Sequence, residues 1–212
     1  MNEKNGLEGS GQVYGEFAGK LELIKETLVQ LIEEYTAKEY DKSGIKIYEH
    51  LNARVKDADS MAEKCIRKGC PVTPHSALKL MRDSIGIRIV CSFFDDIFVN
   101  VEKIRALPGC KVIEEKDYIR HAKPNGYRSY HMIIEYTAPF SDVDGNDPGI
   151  YFAEIQLRTI AMDSWAALEH KLKYKKDIAD QELIVSELKR CADELASCDL
   201  TMSTLREMIE KN

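Results

Sequence analysis

The segment Asp83-Ser84-Ile85-Gly86-Ile87-Arg88-Ile89-Val90-Cys91 constrains the fold more than any other stretch of the chain. Period-two alternation turns Ile85, Ile87, Ile89, Cys91 and Phe93 to one side and Gly86, Arg88 and Val90 to the other. This is a strand, expected over Ile85–Phe94, with one strongly apolar face, and an Arg set into it requires an anionic or aromatic partner.

Tyr151 to Arg158 repeats the design, with Glu154, Gln156 and Arg158 on one face and Tyr151, Ala153, Ile155 and Leu157 on the other. Further strands are expected at Ile47–Val55, Cys110–Tyr118 and Ser129–Tyr136. Helical stretches are expected at Ser60–Arg67, at Ile97–Ala106 and around Met162, Trp165, Leu168 and Leu172. The middle of the chain therefore reads as α/β.

Two longer helices flank it. Leu21, Ile24, Leu28, Leu31 and Tyr35 form one apolar stripe on a helix of about residues 16–38, and Gly44 closes the segment that follows. Ile184, Leu188, Cys191, Leu195, Cys198, Met202, Leu205 and Ile209 form a heptad-like seam over about residues 181–210. The two helices either pack on each other or join subunits, and a homo-oligomer is favoured. Residues 1–14 are expected to be flexible, ahead of one domain spanning 15–212.

The opening dozen residues have neither the basic start nor the apolar stretch of a signal peptide, and no run approaches membrane-spanning length. These features point to the cytoplasm. The six cysteines show no CxxC pair and no zinc-finger spacing to His, so reduced and mostly buried thiols are expected. A net charge of −6 argues against nucleic acid or an anionic membrane as the main partner, so a polyanionic ligand must meet local basicity.

That basicity is present. Arg54 and Lys56 share one face of the strand Leu51–Lys56, and Ser60 and Lys64 stack on one side of the helix that follows, where phosphate could lie. Asp83 stands at the strand edge, well placed for Mg²⁺, and Glu154 supplies a second carboxylate for a metal or a general base. In Lys123-Pro124-Asn125-Gly126-Tyr127-Arg128-Ser129-Tyr130-His131 an Asn-Gly turn precedes Tyr127, which could stack on a base.

Each stretch also has an ordinary reading by itself: a solvated basic face, a capping Asp, an outer strand face, a hairpin whose Tyr covers the core. Asp142-Val143-Asp144-Gly145-Asn146-Asp147-Pro148 is read as a hairpin turn, because its Gly is misplaced for a calcium loop and position twelve would be Ala153. The chain carries no GxxxxGK[ST], no GxGxxG and no protein-kinase motif set.

Five motifs in order decide between these readings: Arg54-x-Lys56-x3-Ser60-x3-Lys64, Asp83-x2-Gly86-x-Arg88, Lys123 to His131, Glu154-x-Gln-x-Arg-Thr159, and Trp165-Ala-x2-Glu169-His170-x3-Tyr174-Lys175. From about Ile45 to Met208 the chain resembles the synthetase domain of the RelA/SpoT family, and its length is similar to that of the single-domain members, the small alarmone synthetases. One departure is Ser84-Ile85, where the family usually has two apolar residues.

The resemblance implies a nucleotidyltransferase-like α+β fold, with a mixed sheet of about five strands flanked by helices. It also implies transfer of the β,γ-pyrophosphate of ATP to the 3′-hydroxyl of GDP or GTP, with Mg²⁺ bridging the ATP phosphates. Residue by residue, Arg54 and Arg88 would sandwich adenine, Lys56, Ser60 and Lys64 would hold the ATP phosphates, and Asp83 would be the principal Mg²⁺ ligand. Tyr127 would stack on guanine, with Lys123, Asn125 and His131 near the acceptor. Glu154 would assist the metal and draw the 3′-hydroxyl proton, supported by Gln156 and Arg158.

None of the five histidines is followed by Asp, so the chain is expected to make alarmone and not degrade it. Two other readings remain at this stage. One keeps the fold and passes pyrophosphate to tRNA 3′ ends or adenosine nucleotides, as a toxin. The other is a non-catalytic nucleotide or RNA-binding module.

Overall fold

The computed structural model describes residues 13–173 and 181–211. Tyr174 and Lys175 of the fifth motif, and residues 1–12 of the expected flexible start, lie outside the described residues.

A 3₁₀ turn at Gly15–Phe17 leads into α1 (Ala18–Ser43), followed by β1 (His50–Val55), α2 (Ala58–Arg67) and a π-helical turn at Ser76–Leu80. Then come β2 (Ile85–Cys91), α3 (Phe94–Arg105), β3 (Cys110–Asp117), β4 (Tyr130–Ala138), β5 (Gly149–Thr159), α4 (Ile160–Lys173) and α5 (Gln181–Glu210). The strands form one mixed sheet in the order β1-β2-β5-β4-β3, in which β2 and β5 are the parallel pair.

The alternation in β2 and β5 explains the layering. Ile85, Ile87 and Ile89 of β2, Ala153, Ile155 and Leu157 of β5, and Met132 and Ile134 of β4 are all sealed from solvent. They join one core with Leu21, Ile24, Leu28 and Ile32 of α1 and Ile97, Val101 and Ile104 of α3. Burial of each such Leu or Ile is worth about 1.5–3 kcal/mol, so the apolar face sets the fold and leaves the polar face free for chemistry.

Boundaries moved where local hydrogen bonds decide them. Asp57 caps α2 by accepting from Asp59 N and Ser60 N, both at 3.1 Å, so that helix starts before Ser60. β2 stops at Cys91 because Asp96 accepts from Phe93 N at 3.3 Å and starts α3 at Phe94. α1 runs on to Ser43, where Gly44 takes a left-handed conformation and its N–H reaches Tyr40 O at 2.7 Å.

Three expectations need correction. Val13 and Tyr14 are buried and belong to the core, because the Tyr14 hydroxyl donates to Lys56 O at 2.9 Å. The heptad seam of α5 is mostly outward: Cys191, Cys198, Met202, Leu205 and Ile209 are exposed, while Ala192 and Ser203 are buried. A straight helix turns at 3.6 residues, so the inward line drifts off a 3.5-residue seam onto small residues that an apolar pattern misses. Cys65 and Cys91 are buried, Cys70 and Cys110 half-buried, and all six thiols are free, so fewer are hidden than expected.

Residues 139–148 form the expected turn, joining the antiparallel strands β4 and β5. Asp142 is buried at its centre, accepting from Lys79 Nζ (2.7 Å), Ile150 N (3.0 Å) and Asn146 N (3.0 Å). Burial alone would raise its pKa, but these donors outweigh it and hold the carboxyl well below the usual range.

Candidate active site

Across the polar face of the sheet, the strand register aligns Arg54 with Gly86 and Gly86 with Glu154. The next row is Asn52, Arg88, Gln156 and His131. Neighbouring strands lie about 4.7–4.9 Å apart, so Gly86 opens a gap of two strand spacings between Arg54 and Glu154. A Cβ added at Gly86 would meet nothing within 4 Å. The result is a cleft of about 320 Å³ lined by Asn52, Arg54, Lys56, Asp83, Gly86, Arg88, Glu154 and Gln156 among others. Arg54 and Arg88 stand diagonally across its floor.

Asp83 sits where β1 ends and β2 begins, fixed by the backbone bond from Lys56 N to Ser84 O at 2.8 Å. One carboxylate oxygen, Oδ2, accepts from both Lys56 and Lys64. The other, Oδ1, is buried without a hydrogen-bond partner. Such an orphaned anionic oxygen facing a cleft suits a hard cation. Among the described residues no three His, Cys, Asp or Glu side chains gather into a ready-made metal cage. Asp83 with Glu154 fits an ion such as Mg²⁺, which takes one or two carboxylates and completes its shell with phosphate oxygens and water.

Glu154 is the hub of a second chain of contacts. It accepts from Gln156 Nε2 at 2.8 Å and lies 3.2 Å from His131 Nδ1. Burial would raise its pKa, but the hydrogen bond and charge of His131, the bond from Gln156 and the charge of Lys64 prevail, holding it down to about 2. His131 Nε2 in turn lies 2.8 Å from the Tyr127 hydroxyl. Arg158, buried beneath, donates to Tyr127 Oη (2.8 Å), Gln156 Oε1 (3.1 Å) and Asp163 Oδ1 (2.9 Å). Asp163 also pairs with Arg88 at 3.3 Å, so one carboxylate links the cleft to the Tyr127 side.

The Tyr127 loop is tight: Gly126 N donates to Lys123 O at 2.8 Å, Lys123 N to Tyr127 O at 3.1 Å, and Asn125 Oδ1 accepts from Tyr127 N at 3.2 Å. Lys123 Nζ hangs between two rings, 4.5 Å from the centroid of Tyr118 and 4.7 Å from that of Tyr127. Asn125 donates to Glu169 of α4 at 3.0 Å.

The structure thus gathers Arg54, Lys56, Lys64, Asp83, Arg88, Glu154 and Gln156 at the cleft, and Lys123, Asn125, Tyr127, His131 and Arg158 beside it. Ser60 stands apart: it is exposed, and its N–H already serves the Asp57 cap, so that helix N-terminus holds a carboxylate where phosphate was expected. Sequence reasoning missed Asp163 and Tyr118. Asp163 lies in the first turn of α4, where an acid reads as a helix-dipole partner. Tyr118 lies just past β3 and gives no local signal.

Residues 53–179 match the family described as "Region found in RelA / SpoT proteins". The chain is 38% identical over 162 residues to GTP pyrophosphokinase YwaC of Bacillus subtilis (strain 168), covering 76% of this chain and 75% of that one. It is 35% identical over 188 residues to GTP pyrophosphokinase YjbM of the same strain, covering 89% and 85%. The crystal structure of the small alarmone synthetase 1 from Bacillus subtilis superposes with a TM-score of 0.79 at 31% identity, covering 95% of this chain and 100% of that one. A structure of that synthetase bound to its product pppGpp gives 0.76 at 31% identity, covering 95% and 98%. Motif order, sheet topology and sequence identity agree: the chain belongs to the RelA/SpoT family.

Proposed function

We infer that this protein is a GTP pyrophosphokinase, moving the β,γ-pyrophosphate of ATP onto the 3′-hydroxyl of GDP or GTP to make the alarmone (p)ppGpp. The observation that carries this reading is the meeting, on one sheet face, of four cations with Asp83 and Glu154, joined through His131 to the aromatic loop of Tyr127.

Adenine enters the gap over Gly86, between the guanidinium groups of Arg54 and Arg88. Its phosphates draw Lys56 and Lys64 away from Asp83, exchanging one anionic partner for another. Asp83 and Glu154 are the carboxylates that would hold Mg²⁺, which when bound would neutralise charge on the phosphate oxygens. Guanine stacks on Tyr127 once Lys123 leaves the ring for the acceptor phosphates.

Glu154 is ionised at neutral pH and takes the proton of the 3′-hydroxyl. The hydroxyl oxygen attacks the β-phosphorus, the bond from that phosphorus to the α,β-bridging oxygen breaks, and AMP leaves with the electron pair. Gln156 and Arg158 keep Glu154 and Tyr127 in register.

The same reading takes the protein as a cytoplasmic homo-oligomer, a tetramer by preference. In its support, Leu200, Met202, Leu205, Met208 and Ile209 are exposed along α5, and no helix of the described residues is long and apolar enough to cross a membrane.

The test is incubation with Mg²⁺ and γ-labelled ATP against GDP, GTP, ADP and deacylated tRNA in parallel, with Glu154→Ala beside the wild type. Label on guanosine nucleotides that depends on Glu154 supports the reading. Label on tRNA or adenosine nucleotides alone keeps the fold and replaces the acceptor. Nucleotide binding without any transfer replaces the enzyme by a binding module.

A further inference from the structure

The Tyr127 loop rests on α5 with almost no space between them. Gly126 has φ +92°, and a Cβ there would lie 2.6 Å from Ala192 Cβ and 3.1 Å from Lys189 Cα. Ala192 is buried at this approach, one of two buried residues along α5. Arg128 fastens the loop from the other end, donating through Nη1 to Ile119 O at 3.1 Å and through Nη2 to Asp193 Oδ1 at 2.9 Å. Trp165 of α4 completes the cradle: its ring meets Tyr127 edge-on at 6.4 Å and its Nε1 donates to Leu188 O of α5 at 2.9 Å.

We propose that Ala192 and Asp193 of α5 are positioning residues for the acceptor nucleotide, setting the height and tilt of the Tyr127 loop. The proposal rests on the reading of that loop as the guanine site. Its logic is steric and electrostatic. The loop cannot sink closer to α5, because backbone and Cβ already touch, and it cannot lift while Arg128 holds Asp193. Neither Ala192 nor Asp193 lines the cleft of Arg54, Asp83 and Arg88, so changes there should weigh on GDP more than on ATP. Asp193 is half-exposed, and a pair so solvated adds little to global stability, so its loss should alter geometry more than folding.

The experiment is steady-state kinetics on the full chain carrying Asp193→Arg or Ala192→Leu, with melting temperatures beside them. A displacement near 1 Å at a binding group costs on the order of 10- to 100-fold. KM for GDP should rise by that factor in both variants, while KM for ATP and the melting temperature of Asp193→Arg stay near wild type. The double variant Arg128→Asp with Asp193→Arg re-forms an ion pair at this point, though not the bond to Ile119 O, and should recover part of the GDP affinity.

Trp165 is the only tryptophan in the chain, so its emission reports on the cradle directly. The GDP concentration that changes it, with AMPCPP present, should shift in Asp193→Arg by the same factor as KM. Unchanged GDP constants in Asp193→Arg, or equal losses for GDP and ATP with a lowered melting temperature, overturn the proposal. A Tyr127→Ala control separates the two failures: if it too leaves GDP binding intact, the guanine-site reading falls and the positioning role falls with it.

Discussion

Replacing Gly86 by Val should part nucleotide binding from folding. Gly86 lies inside β2 without the positive φ that would demand glycine, and an added Cβ meets nothing within 4 Å. Glycine in a strand costs roughly 0.5–1 kcal/mol relative to Ala, and β-branched residues suit strands, so Val should stabilise by about that amount. For a chain of this size that raises Tm by about 1–4 °C. The same methyl groups stand in the gap between Arg54 and Arg88. Two cation–π contacts to adenine are worth roughly 0.5–2 kcal/mol each, so their loss weakens ATP binding by about 5- to 1,000-fold. Calorimetric titration with AMPCPP and a thermal melt read both effects. A variant that melts higher yet binds AMPCPP as well as wild type would refute the adenine gap, and one that melts lower would refute the openness of the sheet face.

Glu154→Gln keeps the size of the side chain and a partner for Gln156 but removes the charge, so kcat should fall on the order of 10²–10⁴; single-turnover transfer that stays within about tenfold of wild type would remove Glu154 as the base. Lys79→Met leaves the buried Asp142 carboxylate without its cation, at a cost of about 3–5 kcal/mol and a fall in Tm of roughly 6–20 °C. Loss under about 1 kcal/mol in a denaturant melt would mean the pair is no stronger than a surface bridge. Because the folded-state pKa of Asp142 lies below its ordinary 3.8, the stability it confers is fully present above that value and drains away as pH falls beneath it. Wild-type Tm measured from pH 6 to pH 2 should drop more steeply at the acid end than that of Lys79→Met, and parallel curves would contradict the assignment.

Much of this was legible because single residues carried two messages. In β2 and β5 the alternation that marks the core also places Arg88, Glu154 and Gln156 on the opposite face, so fold and chemistry were read from one pattern. Asp83, Lys56 and Lys64 were legible as chemistry but not as the mutual ion pairs they make without nucleotide, since pairing depends on how β1, α2 and β2 meet. What stayed hidden lives in tertiary contacts. The inward line of α5 runs through Ala192, Asp199, Ser203 and Arg206, whose sizes and charges announce nothing until Thr159 Oγ1 meets Asp199 at 2.6 Å and Arg206 meets Asp96 at 2.6 Å. Ser76–Leu80 gave no period of its own and owes its turn to Ser84 Oγ bonding Ala77 O at 2.6 Å and Lys79 reaching Asp142.

The parallel pairing of β2 with β5 has a consequence for when activity can begin. Residues 85–91 must find residues 153–159 across everything between them, and such distant parallel closure is an intrinsically slow event in folding. Gly86 and Glu154 become neighbours only at that closure, so neither helix packing nor the β3–β4 hairpin can assemble a working centre earlier. A growing chain on the ribosome is therefore inert until β5 has emerged and docked, and recovery of turnover during refolding should track the last structural phase.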